Sequence, residues 1–98
     1  MSKEITQKQI DAWKVEHGEI FALKIGDKIC YLKTPNRKTL SYAAMAGQKD
    51  NMAFNEIILK QCWLGGDEEI QTNDGLFLSA SSKLPELIQI KEAELVKL

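Results

Sequence analysis

Gly26-Asp27 stands between two runs, EIFALKI (residues 19–25) and KICYLKT (residues 28–34), both rich in β-branched, aromatic and large apolar side chains. Two such runs around a Gly-X pair predict a β-hairpin, because glycine supplies the positive φ that a type II′ turn requires at its first central position. The strands are expected at about 19–25 and 28–33. In the first, Phe21, Leu23 and Ile25 alternate with Ala22 and Lys24, which predicts one packed face and one largely wet face. In the second, Ile29, Tyr31 and Lys33 alternate with Cys30 and Leu32. That strand is apolar on both sides, so alternation alone does not choose its packed face.

Helical signals surround the hairpin. Thr6, with Gln9 three residues on and Ile5 and Ile10 at staple positions, predicts a helix start at about Thr6. Ile10, Trp13 and His17 share a face, and Gly18 stands where this short helix should stop. Thr34-Pro35 predicts a second start, with Thr34 as cap and Pro35 as first helical residue. Behind it, Leu40, Ala43, Ala44 and Gly47 form a small-residue stripe ending at Gly47. Asp50 or Asn51 caps a third helix, with Phe54, Ile57, Ile58 and Cys62 on one face and Leu59 on its flank. Trp63-Leu64 is expected to end that helix at Gly65-Gly66.

Residues 67–75 are acidic and turn-rich, with a turn or cap at Asn73-Asp74-Gly75 and a short helical turn through Leu76, Phe77 and Leu78. Leu84, Leu87, Ile88, Lys91 and Leu95 repeat at helical spacing and predict an amphipathic C-terminal helix. The expected order is α-β-β-α-α-(α)-α. The fold class is α+β: a small single domain over 1–98, one β-hairpin packed against a mainly helical C-terminal part, with the helix in 1–18 at the periphery.

The 98 residues, 44% of them apolar, suit one compact core. Thirteen Lys+Arg against 14 Asp+Glu give no overall attraction to nucleic acid or anionic lipid. The longest apolar run, Tyr42 to Ala46, is far short of the roughly 20 residues that span a bilayer. No secretory signal follows Met1, which predicts residence in the cytoplasm.

Catalytic signals are missing. Cys30 and Cys62 lie inside apolar stretches with no CxxC unit or nearby histidine, so they read as buried reduced thiols and not as metal ligands. His17 is the sole histidine and ends a helix. Asp67-Glu68-Glu69 reads as a solvated loop or helix entry. Gly65-Gly66 lacks the spacing of a phosphate-binding loop. We therefore expect no enzyme activity, no cofactor and no metal site.

Two features point to binding. Lys33, Arg37 and Lys38 surround a helix N-terminus, where a phosphate contact is physically possible, although such residues more often make a solvated polar turn. Met45, Met52, Trp63 and Phe77 suit either the core or an adaptable groove for a partner helix. The candidate partner-binding residues are Lys33, Arg37, Leu40, Met45, Met52 and Trp63. The terminal helices could also associate with copies of themselves.

The hairpin leading through Lys-Thr-Pro-x-Arg-x-x-Leu into a small-residue helix, then NEIILKQCWLGGDEEI, then LPELIQIKEAELVKL, resembles a known pattern over about Ile20 to Leu98. It is similar to the small tail-assembly chaperone-type proteins encoded between the major tail protein and the tape-measure protein of long-tailed phages and prophages. Lys33, Pro35, Arg37 and Leu40 resemble that family's strand-to-helix entry, and Glu56, Ile57, Cys62, Gly66 and Asp67 its second-helix and loop pattern. The resemblance implies a non-enzymatic protein that coats a helical, aggregation-prone tape-measure chain in the host cytoplasm until tail-tube subunits replace it. The alternative is a small nucleic-acid-binding regulator that uses Lys33, Arg37 and Lys38.

Overall fold

The computed structural model describes residues 5–88 and 93–98. The hairpin forms where the alternation places it. Strands β1 (Ile20–Ile25) and β2 (Lys28–Lys33) pair antiparallel, with Phe21 opposite Leu32, Leu23 opposite Cys30 and Ile25 opposite Lys28. Gly26 takes φ +60° while Asp27 does not have positive φ, which fits a type II′ turn and not a type I′ turn. Helix α1 (Gln7–His17) precedes the hairpin, with the Thr6 side chain accepting from the Gln9 N–H at 3.2 Å and Gly18 ending it at φ +81°.

After the hairpin come helices α2 (Arg37–Gly47) and α3 (Asn51–Cys62), and here three expectations change. The cap of α2 is Asn36 and not Thr34: its side-chain oxygen accepts from the Thr39 N–H at 2.8 Å, so Pro35 lies before the cap and not inside the helix. An asparagine one turn ahead of that orphan N–H outcompetes the Thr-Pro signal, and proline instead holds Thr34 in the extended entry. In the small-residue stripe Ala43 is buried and Leu40 and Gly47 are half-buried, whereas Ala44 faces solvent. Leu59 is core and not flank, at 1% exposure beside Ile58 and Cys62. Helix α3 is covered from several directions, by α2, β2, the helix after β3 and the 3-10 turn Leu84–Leu87, so its buried face is wider than one stripe.

The largest correction concerns Trp63–Gly66. This segment is not a helix end with a glycine terminator; it is a third strand, β3, which follows α3 with no intervening loop. Trp63 is already extended at φ −66°, ψ 127°. The sheet order is β1-β2-β3, with Gly66 opposite Cys30, Gly65 opposite Tyr31 and Trp63 opposite Leu32. That register leaves Leu64 as the extra residue of a β-bulge. β2 is therefore central, which explains its apolar residues on both sides. Its Cys30 and Leu32 are buried in the main core, while Tyr31 on the opposite face meets Trp13 of α1, ring centroids 5.7 Å apart.

Beyond β3, the described residues form α4 (Glu69–Thr72), α5 (Asp74–Ser81) and a 3-10 helix, Leu84–Leu87. Asn73 caps α5, accepting from the Leu76 N–H, so the expected turn around Leu76 to Leu78 is a full helix. Ile70, Ala80, Leu84 and Leu87 close the core against Ile58 and Leu59. Each large aliphatic side chain buried there contributes about 1.5–3 kcal/mol. Of the amphipathic C-terminal helix expected here, the described residues form only that 3-10 turn: Ile88 is extended, and Leu95 lies in a described stretch, residues 93–98, without regular structure. Lys91 lies outside the described residues. The architecture is α+β, and no described helix is long and apolar enough to cross a membrane.

Candidate partner-binding surface

The helix α2 has two unlike faces. Its inner face, Leu40, Ala43 and Gly47, packs toward α3, and a Cβ placed on Gly47 would lie 3.1 Å from the Phe54 Cβ. Opposite it, Lys38, Tyr42 and Met45 stand four and three residues apart and so share the solvent face. Tyr42 is 59% and Met45 69% exposed. Met52, in the first turn of α3, is also exposed. A hydrogen-bonding aromatic, a polarizable thioether and a cation on one helical stripe suit contact with an amphipathic helix.

The candidate residues therefore separate. Met45 and Met52 are on the surface, whereas Leu40 and Trp63 are half-buried against the core. Tyr42 went unmarked in the sequence, although its position three residues before Met45, off the Ala43–Gly47 stripe, carries the signal. Among the basic residues, Arg37 and Lys38 are exposed on the first turn of α2. Lys33 is half-buried in a recess of about 320 Å3 shared with Glu16, His17, Asn36, Thr39 and Cys62. The three cations do not line one cavity, and the recess that holds Lys33 also holds the carboxylate-bearing Glu16.

The remaining reactive groups are committed to structure. Cys30 and Cys62 are free and fully buried. Burial, helped by the nearby Asp67 charge, pushes the Cys30 thiol up to about 12. Burial also raises Cys62, against a smaller opposing effect of the Lys33 charge. Both thiols are neutral at pH 7 and poor nucleophiles. The acidic run is divided. The Asp67 carboxylate is buried and accepts the Ile29 N–H at 2.9 Å, while the Asp67 N–H donates to the Ile29 carbonyl at 2.9 Å. Glu69 pairs with Lys28 at 3.3 Å, and that hydrogen bond is the main cause of the raised Lys28 pKa. Among the described residues no group of three His, Cys, Asp or Glu side chains could hold a metal ion.

A second recess borders the sheet. It is a groove of about 340 Å3 between β1 and the 3-10 helix, with Phe21, Leu23, Leu32, Leu84 and Leu87 as its apolar lining and Lys24, Lys83 and Glu86 as its charged residues, Lys83 paired with Glu86 at 3.5 Å. Comparison of the chain with protein-family models, with curated proteins and with solved structures finds no match.

Proposed function

We propose that this chain is a non-enzymatic tail-assembly protein of the phage or prophage type, acting in the host cytoplasm as a chaperone of a helical, tape-measure-like partner. The observation that carries the proposal is the solvent face of α2, where Tyr42 and Met45 are exposed one turn apart while the opposite face of the same helix is packed. A partner helix laid along α2 removes both side chains from water, and Met52 at the start of α3 extends the apolar contact. Lys38, on the same stripe, meets acidic positions of the partner. The neutral thiols and the hydrogen-bonded Asp67 are in keeping with a binding task.

Coexpression with a large, helical tape-measure protein of a long-tailed phage tests the proposal. The chain is expected to raise the soluble fraction of that protein and to copurify with it. The double substitution Tyr42→Asp and Met45→Asp should abolish both effects while leaving the circular dichroism of the isolated chain unchanged. Solubility and copurification that ignore the chain, or that survive the double substitution, sink the proposal.

A further inference from the structure

The chain carries two kinds of sulfur, and the fold puts them in opposite places. Cys30 and Cys62 are free thiols in the core, 0% and 1% exposed. Met45 and Met52, the methionines among the described residues, are 69% and 39% exposed. Methionine is an apolar side chain that folded chains usually bury, yet neither of these two belongs to the core cluster. Met45 stands in the last turn of α2 and Met52 in the first turn of α3, so only the connection 48–50 separates their helices.

This placement reverses the usual order of sulfur reactivity. Cysteine reacts with a peroxide as the thiolate, and Cys30 and Cys62 are held protonated and away from solvent. A thioether needs no ionisation, only access. Its sulfur lone pair attacks one oxygen of hydrogen peroxide, and an S–O bond forms as the O–O bond breaks. The departing hydroxide takes the proton of the transferred oxygen and leaves as water. The sulfur gives up two electrons, the peroxide gains them, and the product is methionine sulfoxide.

We propose that Met45 and Met52 are the oxidant-sensitive site of this chain, and that their conversion to sulfoxides by a peroxide switches off the partner-binding face without unfolding the domain. The switch rests on the chaperone reading above; the site does not. A sulfoxide places a strong hydrogen-bond acceptor where a partner helix needs an apolar contact, beside the exposed Tyr42. The fold tolerates the added oxygen because neither side chain fills the core. Helix α3 keeps its cap as well, since Asp50 accepts from the backbone N–H of Met52 at 3.0 Å and not from its side chain. Methionine sulfoxide reductases restore the thioether, so the change is reversible.

Treating the full chain with hydrogen peroxide at pH 7 and mapping its peptides by mass over time tests the site. One oxygen is expected on Met45 first and on Met52 next, with Cys30 and Cys62 still reduced and the thermal midpoint unchanged. Cysteine oxidation ahead of the methionines overturns the proposal, as does a midpoint that falls with the sulfoxides. For the switch, the peroxide is removed and the same tape-measure protein is offered. Its capture should weaken about tenfold on oxidation of the unmodified chain. Met45→Leu with Met52→Leu removes both thioethers, and capture by that variant should be the same before and after peroxide. Undiminished capture by the oxidised chain, or peroxide sensitivity that persists in the variant, overturns the switch. An untreated chain that captures nothing refutes the chaperone reading and the switch with it, while the sulfoxide map still decides the site.

Discussion

Gly66 is the residue on which the sheet most depends. It sits at φ +126°, and a Cβ there would collide with the Ile29 carbonyl oxygen and lie 2.6 Å from the Cys30 Cα. Both obstacles are backbone of the central strand, so no side chain can turn aside to make room. Gly26 has φ +60° but open space around it, and so isolates the conformational cost alone. Gly26→Ala should cost about 1–2 kcal/mol and Gly66→Ala about 3 kcal/mol or more, read as shifts in urea unfolding; equal costs would show that the β2–β3 approach is looser than described. The Cys30 thiol sets a pH dependence. Its folded pKa of about 12 lies above the ordinary 9.0, so between those values the unfolded chain has lost a proton that the folded chain still holds. Stability is fully present below pH 9 and falls as the pH rises toward 12, by up to about 1.4 kcal/mol per pH unit for this thiol. Cys30→Ala is expected to start less stable at pH 7 and to fall less steeply over that window, which urea titrations at pH 8 and pH 10.5 measure.

The elements that could be read from the sequence were those with local causes. β1, β2 and α1 are bounded by Gly18, Gly26 and Thr6, and each boundary works through its own backbone geometry. β3 has no such cause. WLGG continues an apolar helical run without a change of period, and only pairing with β2 makes it a strand. The overlooked signal was in β2, whose apolar residues on both sides mark a central strand needing a partner on each edge and cover on each face. The C-terminal periodicity misled for the converse reason: Leu84 and Leu87, three apart, satisfy a 3-10 turn as well as an α-helix. Of the candidate binding residues, Met45 and Met52 read from the sequence as either core or groove and are exposed in the structure, while Leu40 and Trp63 are shared with the core, a distinction that residue type cannot make. At the α2 entry two caps competed. Asn36→Ala should cost about 1 kcal/mol, whereas Thr34→Ala should stay within about 0.5 kcal/mol. Thermal denaturation of the two variants decides between them, and a larger effect at Thr34 would return the cap to the Thr-Pro pair.

The whole molecule is a sheet with unequal covers. On the Cys30–Leu32 face lie the fully buried residues of α2, α3, α4, α5 and the 3-10 helix; on the Tyr31 face lies α1, in which no residue is fully buried. What holds α1 is Trp13, stacked at a tilt on Tyr31 and placed where a Cβ on Gly65 would lie 3.1 Å from its ring, with Ile5 beside it. An isolated 11-residue helix is marginal in water, so α1 exists by virtue of that contact. It should therefore open as a separate unit of low stability, while α3 and β2 open only with global unfolding. Trp13→Ala removes the stacked ring, a contact contributing about 1 kcal/mol beyond its buried area. Native-state hydrogen exchange of the variant should show the α1 amides accelerated at least about tenfold and those of α3 unchanged or nearly so. Equal acceleration in α1 and α3 would mean that the two covers fold as one unit. Exchange in α1 that ignores the substitution would mean that Ile5 and Ile10 hold the helix without the tryptophan.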